Sequence, residues 1–203
     1  MFAKAISILL IGAALGLGGC TTIAQVAVDE AKSDEPTPYK PKTRVFGKYG
    51  YGEDRLDNGS YEVWFYGNAL TTPERVLDVV IFRAAEIGRA DGKTHFVMAN
   101  DPRYPGAIIC KGSVGGAYIS DIQVWLQQIV TYGGVGQLSG TVFSVSDVLK
   151  QLSDRVRTPN ITEEDEQRIY TSNRLSCVNN QRFLPEDVET YQELIESGAL
   201  STS

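Results

Sequence analysis

The segments YEVWFYGN (residues 61–68), TTPERVLDVVIFRAAEIGRADG (71–92) and THFVM (94–98) decide the fold of this chain. In the first segment, alternating side chains predict a strand whose Val63 and Phe65 face a core. The third segment is short and apolar and predicts a second strand. With the middle segment between them, they predict a strand–helix–strand unit.

The middle segment carries clear signals for a helix over 73–91. Thr72 can cap the first turn, Pro73 suits the first helical position, and Glu74 lies where the helix dipole favours a carboxylate. Apolar residues then follow at spacings of three and four: Val76, Leu77, Val80, Ile81, Ala84, Ile87 and Gly88. This face predicts packing on a sheet, and its small residues predict a close approach.

Residues 120–132 fit two structures. Ser120 and the residues after it resemble a capping box, and four apolar residues lie at helical spacing. Against a helix, many residues are β-branched, and alternation places apolar side chains on one face of a strand. We interpret the segment as a strand, with a turn at 133–136 and a hairpin partner at 141–143. A short helix over 147–154 follows.

These elements predict an α+β fold for residues 45–154, a single two-layer α/β sandwich with a mostly antiparallel sheet. The long helix and the short helix would cover one face of that sheet. Residues 155–203 predict a helical C-terminal extension, with helices that begin near Thr162 and Pro185. We expect the extension to pack on the domain, and a surface for a partner is the alternative.

Residues 1–19 and the following cysteine resemble the signal of a bacterial lipoprotein. Lys4 precedes an apolar run, and the run ends in Leu17-Gly18-Gly19-Cys20. The resemblance implies that Cys20 becomes the first residue and carries acyl chains, which hold the protein to a membrane. Thr21 in place of Asp implies the outer membrane, facing the periplasm. The alternative, a retained membrane helix, would need about 20 apolar residues.

Residues 20–44 predict a lipidated tether rather than part of the domain. The segment is polar and charged, and it contains closely spaced prolines between Ser33 and Pro41. Such prolines favour an extended, solvated chain. A short amphipathic helix over Ile23–Ala31 is the alternative.

Six motifs occur in this order along the domain: Tyr49-Gly50-Tyr51, Arg55-Leu56, Tyr61 to Asn68, Thr72 to Glu86 with Arg83-Ala84-Ala85-Glu86 inside it, Gly92, and Phe96-Val97. This order is similar to that of an uncharacterised family of proteobacterial envelope lipoproteins, over about residues 47–152. The resemblance favours a strand at 120–132 and implies a glycine- and aromatic-rich loop at 102–118. It implies no activity, substrate or catalytic residue. The chain departs from the family in carrying Cys110 and in continuing past residue 155.

The two cysteines that remain after lipidation predict a disulfide bond. Cys110 and Cys177 would lie in an oxidising compartment, where two leftover thiols usually pair. Such a bond would join the C-terminal helices to the loop after the second strand. Two buried free thiols are the alternative.

The charge of the chain limits its partners. Lys4 is the only charged residue of the leader, so its removal leaves 18 basic and 25 acidic side chains and a net charge of −7. This balance argues against nucleic acid and against electrostatic attachment to anionic lipid headgroups. We therefore expect membrane attachment through the acyl chains on Cys20 and no nucleic acid partner.

Sequence patterns for metal, cofactor or nucleophilic chemistry are missing. His95 is the only histidine, and its place in a predicted strand favours a structural role over a triad or a zinc site. Neither Lys111-Gly112-Ser113 nor Gly134-Val135-Gly136 has the spacing of a phosphate-binding loop. The acidic run 163–166 is interpreted as a solvated helix start, because a calcium loop alternates its ligands. We expect no metal and no cofactor.

Two functions follow as hypotheses. The first is a non-catalytic outer-membrane lipoprotein whose periplasm-facing domain binds another envelope protein or assembles with copies of itself. Its candidate partner surface is aromatic and consists of Trp64, Tyr66 and Trp125. The alternative is a carboxylate-dependent envelope hydrolase acting on peptidoglycan or glycans, which needs two carboxyl groups about 5–9 Å apart.

Overall fold

A computed structural model describes residues 35–42, 47–100, 107–112, 119–158, 161–179 and 190–197. One sheet contains the strands β1 (Gly50–Arg55), β2 (Tyr61–Gly67), β3 (His95–Asn100), β4 (Ala107–Gly112), β5 (Ile119–Gly133) and β6 (Val142–Ser144). The helices are α1 (Pro73–Ala90), α2 (Val145–Arg157), α3 (Glu163–Asn179) and α4 (Tyr191–Glu196). The named strands pair only in antiparallel fashion. The predicted α+β fold with an antiparallel sheet is confirmed.

The 15-residue strand β5 organises the sheet. The strand order is β1-β2-β5-β3-β6, and β4 also pairs with β5. β2 lies along one edge of β5, while β3 and β4 share the other edge, at residues 128–133 and 119–125 respectively. The strand interpretation of residues 120–132 is therefore correct.

The main core lies between the sheet and α1, as the strand–helix–strand pattern predicts. Val63, Phe65 and Phe96 are fully buried and pack with the apolar face of α1. Gly88 allows the close approach, because a Cβ there would lie 2.8 Å from the Tyr132 ring. The predicted Thr72 cap is present. Leu77 was predicted on the buried face of the helix, but it is 42% exposed.

The region after β5 differs from the prediction in two ways. β6 pairs with β3 and not with β5, so the expected hairpin is wrong. The short helix is longer than 147–154 at both ends, because Ser144 caps it and Val145 and Val156 are buried against the main core. Its place beside α1 agrees with the predicted two-layer arrangement.

Two strands were not predicted. β1 lies in the glycine-rich sequence that precedes the first predicted strand, inside the predicted domain. Its own residues do not indicate a strand, and pairing with β2 provides the order. β4 lies inside the loop expected at 102–118 and pairs with the first half of β5. Both are found at positions where pairing with a neighbour decides the structure.

The C-terminal helices pack on the domain. The helix predicted to begin near Thr162 runs over Glu163–Asn179, and the helix predicted from Pro185 is described only from the Thr190 cap onward. A second, smaller cluster of buried residues holds them: Leu70, Ile122, Tyr170, Cys177 and Tyr191. Asn173 joins α3 to the segment before α1, since its Nδ2 donates to the Ala69 oxygen at 2.8 Å.

Residues 35–42 form a strap that is docked on the domain, so the predicted tether of residues 20–44 is too long at its C-terminal end. Thr37 is buried, its amide donates to Thr71 Oγ1 at 3.1 Å, and its hydroxyl oxygen accepts from the Asn68 amide at 2.9 Å. The rest of the predicted tether, residues 20–34, lies outside the described residues. The polar, proline-rich composition predicted an extended chain but not its docking.

The strap also extends the sheet edge. The Lys42 amide donates to the Tyr51 oxygen at 2.7 Å, and the Tyr51 amide donates to the Lys40 oxygen at 2.9 Å. Gly50 is required at this contact because its φ is +125° and a Cβ would lie 2.6 Å from the Lys40 oxygen. The chain that arrives from the direction of Cys20 is thus an integral part of the domain.

Candidate functional site

The three predicted surface aromatics lie together on the sheet face opposite α1. Tyr66 and Trp125 are directly paired between β2 and β5, and their rings stack with centroids 5.5 Å apart. Trp64 lies on the same face of β2, two residues before Tyr66. The alternation along β2 was sufficient to place Trp64 and Tyr66 on a common face.

The environment of these rings differs from the expected exposed surface. Trp125 is only 9% exposed, and Trp64 and Tyr66 are half-buried. The Trp64 indole lies against Gly52, where a Cβ would approach within 2.5 Å, and the Lys42 ammonium lies 3.9 Å from the Tyr66 ring centroid. Because several ring surfaces are used within the domain, this face has a clear structural role.

A pair of carboxylates meets on the other side of the sheet. Arg83 of α1 bridges them, donating to Glu53 from Nε at 3.1 Å and from Nη2 at 2.5 Å, and to Glu86 from Nη1 at 2.9 Å. Glu86 also accepts from Arg157 at 2.6 Å and from the Tyr39 hydroxyl of the strap. A glycosidase acid must present a proton to its substrate, whereas these carboxylates face guanidinium groups and a phenol. The network therefore fastens the strap, β1 and α2 to α1.

The pKa shifts in this region agree with a structural network. Burial raises the pKa of the Tyr39 phenol, and its hydrogen bond to Glu86 raises it further. Burial opposes the charge of Arg83, but its hydrogen bonds to Glu53 and Glu86 outweigh burial and raise the pKa of Arg83. Burial likewise raises the pKa of Tyr132. These phenols stay neutral and the guanidinium stays charged near pH 7.

A groove opens at the other end of α1, where Arg75 ties three segments together. Its guanidinium donates to the Thr37 oxygen of the strap at 3.1 and 3.3 Å, and to the Arg155 and Val156 oxygens of α2 at 3.2 Å each. Burial lowers the pKa of Arg75. The strap, α1 and the end of α2 therefore have fixed relative positions around this groove.

The groove has a volume of about 640 Å³ and predominantly apolar walls. Its lining residues come from the strap, α1, the end of α2, and α3 with the residues before it: Pro36, Leu70, Thr72, Glu74, Arg75, Leu77, Asp78, Arg155, Thr158, Ile161 and Ile169. Asp78 accepts from Arg155 at 2.6 Å across the groove. Clefts of 300–1,000 Å³ with predominantly apolar walls and a few polar groups are typical of small-molecule and cofactor sites.

Sequence reasoning missed this groove. The spacing of apolar residues predicts Leu77 on the buried face of α1, and Ile161 lies just before the helix predicted from Thr162. The walls come from four segments that are distant in sequence, so no local pattern contains them. The acidic run at 163–166 was the one signal near it, and it was interpreted as solvent-facing.

The remaining predicted residues have the following places. Cys177 is buried in the second cluster and is disulfide-bonded. Its predicted partner, Cys110, lies on β4, which α3 contacts, and is in register with Ile122 of the same cluster. The pairing itself stays a prediction. His95 is half-buried at the start of β3, with Nδ1 3.0 Å from Thr94 Oγ1.

The described residues contain neither a metal-binding cluster nor a membrane-spanning helix. Within those ranges, His, Cys, Asp and Glu do not gather in groups of three that could hold a metal ion. Nor does any helix described there have the length and apolar character needed to cross a membrane.

The chain matches no protein-family model, no curated protein and no solved structure. Its site therefore has to be interpreted from its own residues.

Proposed function

We propose that this protein is an outer-membrane lipoprotein, anchored by acyl chains on Cys20, whose periplasm-facing domain binds or assembles with another envelope component without catalysis. The lipoprotein-like leader supports the anchor and the location. The strap, which follows the predicted lipidated segment in sequence, contributes Pro36 to the wall of the groove.

The groove is the observation that carries the binding function. It has the size and apolar lining of a binding site. The half-buried guanidinium of Arg75 makes four hydrogen bonds to backbone oxygens, and Asp78 pairs with Arg155. These groups fix the walls rather than offering an acid, a base or a nucleophile to a substrate, which favours binding.

Two measurements test the anchor and the site separately. Radioactive palmitate should label the full-length protein in a Gram-negative host, and Cys20→Ser should abolish the label and release the protein from membranes. An unlabelled full-length parent protein, or a C20S protein that stays bound to membranes, would refute the anchor.

For the site, a photo-crosslinking amino acid at Leu77 should give a defined adduct in intact envelopes. The same probe at Val135, which is 60% exposed and remote from the groove, is the control. A probe at Trp64 tests the aromatic face. An adduct from position 64 alone would show that the partner binds the aromatic face and not the groove. The absence of an adduct from both positions would refute the proposed function.

A further inference from the structure

The rim of the groove is acidic. Glu74 is an exposed lining carboxylate on the first turn of α1 and makes no ion pair within the described residues. The first turn of α3 carries Glu163, Glu164, Asp165 and Glu166, and it lies between the two lining isoleucines, Ile161 and Ile169. Glu74 is thus a lining carboxylate, while Glu163 and Glu164 follow the lining residue Ile161 by two and three positions, where α3 begins.

The basic groups nearby are already used. Arg75 is bound to backbone oxygens, Arg155 pairs with Asp78 at 2.6 Å, and Arg168 pairs with Asp165 at 3.0 Å. The described Glu163 and Glu164 side chains are exposed and have no ion pair within the described ranges. The charge that the groove offers to an incoming partner is therefore negative.

We propose that the groove binds an amphipathic, basic segment of a polypeptide partner. This inference rests on the proposed function and specifies its partner. Apolar side chains at positions i, i+3 or i+4 would occupy the floor formed by Leu70, Leu77, Ile161 and Ile169. Lysine or arginine residues on the flanks of the segment would face Glu74 and the start of α3.

The two kinds of contact have different roles. Removal of apolar surface from water supplies most of the affinity, at roughly 25 cal/mol per Å². The rim charges are exposed, so each pair adds little affinity and is screened by salt. They chiefly select a basic partner over an acidic one and speed its association.

The test uses the whole mature chain, residues 20–203, with Cys20→Ser so that no detergent is needed. The probe is a short fluorescent peptide of leucine and lysine in amphipathic helical order, and its matched control has glutamate in place of lysine. We expect the lysine peptide to bind with an affinity that falls as salt is raised, and the glutamate peptide to bind at least tenfold more weakly.

Variants locate the binding site. The combination Glu74→Gln, Glu163→Gln and Glu164→Gln should raise the Kd for the lysine peptide about fivefold to tenfold, given three exposed pairs. Leu77→Ser should also weaken it. The matched control neutralises Asp54, Asp57 and Asp147, which are exposed away from the groove, and should leave the Kd unchanged.

Three outcomes would overturn the inference: equal binding of both peptides, an unchanged Kd in the rim variant, or an equal loss in the control variant. Protection of a label at residue 77 by phosphatidylethanolamine vesicles but not by the lysine peptide would also overturn it. An adduct from position 77 in envelopes combined with any of these results would leave the proposed binding function intact. Absence of all adducts would instead remove the proposed function itself.

Discussion

The two hydrophobic clusters of this molecule are built by different means. Among the described residues, the main core has fifteen buried members from the sheet, α1 and α2, whereas the C-terminal cluster has five. Since stabilisation by burial grows with apolar area, the main core can support the domain by itself. The C-terminal cluster adds a disulfide-bonded cysteine, Cys177, and an amide, Asn173, that bonds two backbone oxygens.

The difference also concerns distance along the chain. The main core is dominated by β2, α1 and β3, which are consecutive elements. The bond from Asn173 to Ala69 in the second region joins residues 104 positions apart. The small C-terminal cluster buries little apolar area, so cross-links of this kind provide part of its stability. They also hold α3 beside the groove.

The largest expected effect comes from a cavity in the main core. Phe65 is fully buried, so Phe65→Ala should lower the free energy of unfolding by about 3–5 kcal/mol. Denaturant unfolding followed by circular dichroism measures this. Leu175→Ala, at a site that is 48% exposed, is the control and should change stability little. A small loss for F65A would mean that the main core does not carry the domain.

The next effect concerns the disulfide bond of the second cluster. Reduction should cost about 2–4 kcal/mol in the chain-entropy account. Hydrogen exchange should then accelerate in α3 and α4 while α1 stays protected, because the main core keeps its own contacts.

Mass spectrometry of a non-reducing digest identifies the partner of Cys177. A linked Cys110–Cys177 peptide is expected, and Cys110→Ser should reproduce the exchange pattern of the reduced protein. A peptide linking Cys177 to Cys20 would contradict both the pairing and the lipid anchor. Faster exchange throughout α1 would show that the two regions unfold together.

The same contrast explains what could be predicted from the sequence. The fold of β2, α1 and β3 followed from alternation, a cap and helical spacing, all of which are local. β1 and β4 were missed because their order comes from pairing with β2 and β5. The hairpin was wrong because β3 takes the position beside β5 that β6 was expected to fill.

The candidate site was less predictable than the fold. The shared face of Trp64 and Tyr66 followed from the period of a strand, but the burial of Trp125 depends on tertiary packing. The groove depends on Arg75, whose charge within an amphipathic helix is typical of a solvated residue, and on the strap, which was taken as part of a tether. Only the folded chain brings Pro36, Leu77 and Ile169 together.

The smallest effects separate the two regions most directly, because both contain a helix capped by threonine. Thr72 Oγ1 accepts from the Arg75 amide at 3.1 Å at the start of α1, and Thr190 forms a reciprocal capping box with Glu193 at the start of α4. Thr72→Ala should cost about 1 kcal/mol of global stability, because α1 unfolds only with the main core. Thr190→Ser keeps a capping hydroxyl and is the control for that site.

Thr190→Ala should leave global unfolding unchanged and should speed hydrogen exchange only within α4, because a six-residue helix can open without the rest of the domain. The hydrogen bonds from Thr190 hold the pKa of Glu193 below its usual range. The support that this carboxylate gives to α4 is therefore present at neutral pH and is lost as the pH falls through that lowered pKa. The protection factors of the α4 amides should fall in acid for the parent protein, and less so for T190A, which keeps the backbone N–H to Glu193 but loses the hydroxyl. A loss of global stability in T190A equal to that in T72A would show that the C-terminal helices and the main core form one cooperative unit.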